Sequence, residues 1–394
     1  MRVNSLDDVS ILVKGNNAFA IDLYDKLRHQ EGNLFFSPYS ISTALAMTYA
    51  GARGETASEM ANVLHFELEP EHLHPAFAAL MADLNIGEDC GYQLNTANRL
   101  WGQQGFAFLD AFLQTTKDYY SAALALVDFI RATEEARCTI NTWVAQQTQE
   151  KIQNQIREGI LTGDTRLVLT NAIYFKGNWA SQFDRISTKE EPFTIAPDEQ
   201  VNVPMMFKGG AFRYASLGDL QVLELPYVGD RLSMVILLPS KLEGLAQLEQ
   251  QLTSASLEKW LSSLYITHEL LVWLPKFKLT SEFMLNQALS DMGMPLAFDK
   301  YGADFTGMTT AEADLCHLSD EQRLHISAVI HKAFVDVNEE GTEAAAATAV
   351  VMARSVSISI PTIFRADRPF IFLIRDTQFD SILFLGRVVN PLIH

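Results

Sequence analysis

Apolar residues recur every three or four positions from Asn17 to Arg28, where Phe19, Leu23 and Leu27 fall on one face and predict an amphipathic helix. Ser37 followed by Pro38 reads as an N-cap and a first-turn proline, opening a second helix through Tyr49. The same spacing predicts helices at 56–64, 71–84, 109–120 and 133–151. Runs rich in β-branched and aromatic residues predict strands at 93–101, 166–174, 212–214, 222–225, 233–238, 269–278, 333–337, 370–374 and 382–389. Helices crowd the first half and strands the second, which implies an α+β fold rather than alternating βαβ units. No linker, repeat or low-complexity tract divides the 394 residues, so 1–394 reads as one domain.

One segment departs from this pattern. From Asn338 to Pro369 an acidic turn around Gly341 gives way to a run of very small residues and then to Met352-Ala353-Arg354-Ser355. Glu343 to Ala349 has the composition of a helix, since Ala is the strongest helix former. Thr348, Val350 and Val351 instead favour a strand. As a strand, Thr342, Ala344, Ala346, Thr348, Val350 and Met352 would share one small, uncharged face, with Glu343 and Ala345 starting the other. Such a strand could enter the middle of an existing sheet without overpacking it or burying a charge.

Composition narrows the chemistry. Nearly half the residues are hydrophobic and a fifth are charged, an ordinary globular balance. No apolar run is long enough to cross a bilayer, so no membrane partner is expected. A formal net charge of -18 argues against a nucleic-acid partner, because phosphate binding needs clustered Lys and Arg. Cys90, Cys138 and Cys316 have no paired metal spacing and read as free thiols, buried in packing rather than reactive. His72 and His74 beside Glu71 form at most a two-ligand metal pair and read as solvated side chains. Signatures of hydrolases, metalloproteases, phosphate loops and calcium loops are absent, and no cofactor is expected. The N-terminus lacks signal-peptide features and no Asn-x-Ser/Thr occurs, which suits a prokaryotic, intracellular or trimmed secreted protein.

Several motifs stand in a fixed order. They are Asn33-Leu34-Phe35-Phe36-Ser37-Pro38-Tyr39-Ser40-Ile41, Gly51-Ala52-Arg53-Gly54, Thr170 to Trp179, Leu274-Pro275-Lys276-Phe277, Glu339 to Ala347, Arg368-Pro369-Phe370 and Phe384 to Pro391. Together, from about residue 17 to 391, this order resembles the serpins, and Asn338 to Pro369 resembles their reactive-centre loop. The resemblance implies three β-sheets with about nine helices, a large central sheet able to accept one more strand, and an exposed loop over about 339–362. It also implies a likeness in function: a suicide-substrate inhibitor of serine proteases, not an enzyme, and a monomer at risk of loop-sheet polymerisation. An extracellular location is the family expectation.

By the same resemblance, Glu339, Glu340, Gly341, Thr342, Glu343, Ala344, Ala345, Ala346, Ala347 and Thr348 form the hinge. Ser37, Ser40, Asn171 and His331 occupy the shutter beneath the central sheet, and Trp179 with the Lys276/Glu339 pair lies at the breach where the loop first enters. Heparin activation is not expected, because the stretch Glu67 to His74, where some serpins carry a basic helix, is acidic. A target protease would attack the loop and form an acyl ester; insertion would then carry the tethered enzyme about 40 Å, at about 3.3 Å per residue. Two bonds compete. Fourteen residues beyond Gly341 lies Ser355, giving Ser355-Val356 and an elastase-like target, while the cation of Arg354 slightly favours Arg354-Ser355 and a trypsin-like one. Two rivals are a non-inhibitory serpin acting as carrier, chaperone or storage protein, disfavoured by the small hinge residues, and a hydrolase using Cys316 beside His317.

Overall fold

The computed structural model describes residues 5–84, 91–122, 124–309, 323–342 and 361–393. Helices among them are α1 Ser5–Leu27, α2 Pro38–Tyr49, α3 Gly54–Leu64, α4 Pro70–Leu84, α5 Asp110–Tyr120, α6 Thr133–Gln147, α7 Leu245–Gln251, α8 Ser254–Ser262 and α9 Asn286–Met292. The early strands are β1 Leu34–Phe36, β2 Tyr92–Gln103, β3 Ala125–Val127, β4 Leu167–Asn178, β5 Lys189–Ala196, β6 Glu199–Leu217, β7 Leu220–Pro226 and β8 Leu232–Pro239. The later ones are β9 Tyr265–Pro275, β10 Phe277–Met284, β11 Ala328–Val337, β12 Gly341–Thr342, β13 Thr362–Arg365, β14 Phe370–Asp376 and β15 Ile382–Val388.

They form two hydrogen-bonded sheets. One has six strands in the order β10-β11-β12-β4-β2-β3; the other follows β1-β15-β14-β8-β7-β6-β9-β13 with β5 paired to β6. The three expected sheets become two because β6 is long enough to pair with β5 over 199–205, β9 over 205–214 and β7 over 213–217. The predicted strand at 269–278 splits in the same way. β9 belongs to one sheet and β10 to the other, and the chain crosses between them at Pro275-Lys276.

Several predicted boundaries move for local reasons. α1 begins at Ser5, since Val9, Leu12 and Val13 extend its buried face. α6 stops at Gln147 rather than 151: the Thr148 hydroxyl accepts the Ile152 N–H at 3.2 Å while Gln149 and Glu150 adopt φ of 50° and 61°. Ser37 caps α2 as its position predicts, its side chain accepting from Ser40 N.

The six-stranded sheet is covered on both faces, which explains the near-continuous apolar run of β4. Leu167, Leu169, Ile173 and Phe175 face the main core. Val168 faces the opposite way with Ile140 and Ile156, while Ala172 and Tyr174 pack with Val144 and Ile152 of α6 and the segment after it. α2 lies against the core face and is buried nearly all round.

Candidate functional site

Within the six-stranded sheet β4 and β11 are parallel neighbours, in register from Val168 opposite Ala328 to Tyr174 opposite Phe334. Above that level they part, and β12 stands between them. Thr342 pairs with Val337 on one side and Gly177 on the other, and Gly341 pairs with Asn178. β12 is antiparallel to both neighbours. Parallel pairing is slightly the weaker kind per residue, so lengthening β12 would exchange one parallel interface for two antiparallel ones.

Glycine is required where β12 enters. A Cβ on Gly341 would stand 2.0 Å from the Gly177 carbonyl oxygen, and one on Gly177 would stand 2.7 Å from the Phe175 ring and 2.9 Å from Tyr227. The turn before it uses Asn338, whose Oδ1 accepts Glu340 N–H at 3.0 Å. Trp179 binds this turn twice, its backbone N–H donating to Glu340 O at 2.9 Å and its indole N–H to Asn338 O at 3.0 Å. The indole also stacks on Tyr227 at 4.7 Å, and Tyr227 in turn shares a 2.8 Å hydroxyl bond with the fully buried Thr342.

Lys276, placed here by the crossing from β9 to β10, reaches Glu339 Oε2 at 2.9 Å, while Thr188 donates to Glu339 Oε1 at 2.8 Å. Burial pushes the Glu339 carboxyl up, but the hydrogen bonds from Lys276 and Thr188 outweigh it and hold the group below its ordinary range. Glu340 pairs with Arg185. Trp179, Lys276, Glu339, Glu340, Gly341 and Thr342 therefore converge on the top of the seam. Glu343, Ala344, Ala345, Ala346, Ala347, Thr348, Arg354, Ser355 and Val356 lie outside the described residues, as do Cys90, Cys316 and His317.

Lower in the same seam, Ser37, Ser40, Asn171 and His331 form one buried network on the core face. The Ser37 N–H donates to His331 Nε2 at 3.1 Å, and Ser37 Oγ donates to Leu383 O at 2.6 Å. Because Nε2 must accept, the imidazole is neutral with its proton on Nδ1, which donates to Asn171 Oδ1. The Asn171 amide then donates to Ser40 Oγ at 2.5 Å and to Asn98 Oδ1. Asn171 and His331 face each other across the parallel pair. The network thus ties β4, β11, β2 and the start of α2 together.

Burial pushes the His331 imidazole down to about 3 from its ordinary 6.5. An exposed imidazole binds a proton below 6.5 while the buried one does not until about 3, so the closed network is fully favoured above 6.5 and loses stability as pH falls through that window. Heat-induced polymer on native gels should therefore form several times faster at pH 5 than at pH 7.5, and a His331→Gln variant should show less of that acceleration. Equal acceleration in the variant would remove His331 as its source.

Sequence reasoning missed Asn98, Tyr227, Thr188 and Arg185; each is an ordinary polar or aromatic residue until the fold brings it to the seam. Two expectations are corrected. His74 is not solvated but buried, bonded to Tyr120 OH at 2.6 Å, because α4 turns it toward α5 while His72 meets Asp8 at 3.1 Å. Cys138 is exposed rather than buried, since Ala136, Ile140 and Val144 form the inward face of α6. Among the described residues, no group of three or more His, Cys, Asp or Glu could hold a metal, and no helix is long and apolar enough to cross a membrane.

The mixed sheet thus holds Gly341 and Thr342 as a short antiparallel strand at the upper end of an otherwise parallel β4–β11 seam. Comparison with known proteins identifies the class. The family described as "Serpin (serine protease inhibitor)" matches residues 14–391. Leukocyte elastase inhibitor of Bos taurus is 45% identical over 392 residues, 96% of this chain and 99% of that protein. Serpin B6 of Pongo abelii is 40% identical over 389 residues, 97% of this chain and 100% of that one. Among solved structures, uncleaved ovalbumin superposes with a TM-score of 0.86 at 29% identity, covering 96% of this chain and 100% of its own. Serpin48 of the insect Tenebrio molitor, described as highly specific, gives 0.85 at 33% identity over 96% and 98%. The chain belongs to the serpin family.

Proposed function

We propose that this protein is a suicide-substrate inhibitor of a serine protease and not an enzyme. A cleaved loop lengthens β12 down the seam while the protease is held as an acyl ester. The observation that carries this reading is a register. Continuing from Thr342 opposite Gly177 and Val337, Ala344 would fall opposite Phe175 and Val335, and Ala346 opposite Ile173 and Ala333. Thr348 would fall opposite Asn171 and His331, and Val350 opposite Leu169 and Val329. Ala344, Ala346 and Val350 would meet only apolar residues. The one hydroxyl on that face between Ala344 and Val350 would meet the one polar pair, as a satisfied buried network requires. The hinge role of Glu339 to Thr348, the shutter role of Ser37, Ser40, Asn171 and His331, and the breach role of Trp179, Lys276 and Glu339 all follow from this reading.

The scissile bond is assigned to Ser355-Val356, with an elastase-like target. Support comes from Gly341 as first residue in the seam, which anchors the count of fourteen to Ser355, and from similarity to proteins named for inhibiting leukocyte elastase. A second reading rests on Arg354, the only cation between Glu343 and Arg365, which suits cleavage at Arg354-Ser355 by a trypsin-like enzyme.

Incubation with each protease, a denaturing gel and the mass of the released C-terminal peptide will separate them. An elastase-like complex with a peptide beginning at Val356 is expected. A complex formed only with the trypsin-like enzyme, and a peptide beginning at Ser355, would transfer the assignment to Arg354. Turnover of peptide substrates by the protein itself, abolished by thiol alkylation, would instead revive the hydrolase.

A further inference from the structure

Gln155 lies in the segment that follows α6 and crosses the outer face of the six-stranded sheet. That segment is anchored on both sides of it. Ile152 and Ile156 are fully buried, and Asn141 of α6 both donates to Ile156 O at 2.9 Å and accepts Ile156 N–H at 2.8 Å. Held this way, the Gln155 side chain is 1% exposed, and its Nε2 donates to Asn171 O at 3.2 Å and Ile330 O at 3.0 Å. The first acceptor belongs to β4 and the second to β11. One nitrogen can reach both only because these carbonyls face each other across the seam. The contact sits at the level of the Asn171 and His331 pair, on the opposite face of the sheet from the Ser37 network.

The arrangement carries a cost, because Gln155 Oε1 is buried with no hydrogen-bond partner among the described residues. An apolar side chain of the same size would avoid that orphan. The amide is therefore not explained by packing. We propose that Gln155 is a positioning residue that staples β4 to β11 and sets how fast the seam parts. This rests on the insertion reading above. A strand entering between β4 and β11 separates them by a further strand spacing of about 4.8 Å, and one amide can no longer bridge the two carbonyls. The staple thus favours the unfilled seam over the opening one.

The test uses the intact protein and a synthetic peptide of residues 342–353 as the probe, with annealing followed on native gels. Gln155→Leu should anneal the peptide about tenfold faster than the parent, the loss expected from one to two neutral hydrogen bonds. Gln155→Met should move the same way if the leucine variant folds poorly. Gln153→Leu, whose side-chain amide donates to Glu150 O on the same segment rather than to either strand of the seam, should keep the parental rate. Resistance of the loop-cleaved form to guanidinium should be equal in all four proteins, which a general packing defect would not allow. Parental annealing with unchanged rates in both Gln155 variants, or equal acceleration in Gln153→Leu, would overturn the staple alone. A parent that neither anneals the peptide nor traps protease would overturn the insertion reading and the staple with it.

Discussion

Thr342→Arg should convert the inhibitor into a substrate. Thr342 is fully buried, its hydroxyl bonded to Tyr227 and its neighbours on either strand the close-set Gly177 and Val337. A guanidinium there would have to shed its water beside Tyr227, in a turn whose carboxylates at Glu339 and Glu340 are already paired with Lys276 and Arg185. Burying such an unpaired cation costs several kcal/mol. The bond offered to the protease lies at least a dozen residues further along the chain, so the first cleavage should proceed at its usual rate. Insertion then competes with hydrolysis of the ester, and every 1.4 kcal/mol added to the insertion barrier shifts that competition tenfold toward water. At least a hundredfold loss of covalent complex is expected, with the protease recovered active and the inhibitor cut. Thr342→Val keeps the size and loses one hydroxyl bond, so it should retain most of its complex. Undiminished complex from the arginine variant on a denaturing gel would refute insertion by way of β12.

How far this site was legible depends on whether its residues advertise themselves locally. The α2 cap at Ser37-Pro38 and the alternating small face from Thr342 are written in adjacent residues, and both could be read from propensity and period. The short elements β1, β3, β12 and β13 could not, because two to four residues carry no period and acquire strand geometry only from a neighbour. α7, α8 and α9 are similarly brief, and their apolar positions blend with the strands beside them. The seam network posed a different difficulty. Asn98 and Asn171 are directly opposite on β2 and β4, a pairing fixed by long-range register rather than by sequence spacing. Gln155 looks like any polar residue after a helix, and only the fold brings two strand carbonyls beneath it. The family resemblance supplied Ser37, Ser40, Asn171 and His331 but not their partners, since partners depend on geometry that motifs do not encode.

Glu339→Lys should produce a protein that polymerises readily. Glu339 accepts from both Lys276 and Thr188, and its backbone carbonyl accepts the Phe183 N–H at 2.8 Å, so it fixes the turn that delivers Gly341 into the seam. A lysine would place a second ammonium against Lys276, which is itself partly exposed, and would leave the Thr188 hydroxyl without its acceptor. Charged hydrogen bonds of this kind contribute about 2 kcal/mol, and repulsion replaces them. With the turn loosened, β12 can leave and the upper edges of β4 and β11 lose their cover. Unpaired strand edges accept a strand from another molecule. Heat-induced polymer on native gels should appear about tenfold sooner than in the parent at the same concentration and temperature. Pairing the change with Lys276→Glu restores opposite charges across the contact and should recover much of the delay. Equal polymer yields in parent and single variant would show that the Lys276 and Glu339 contact does not hold the seam, and a double variant as fast as the single one would show that charge is not what holds it.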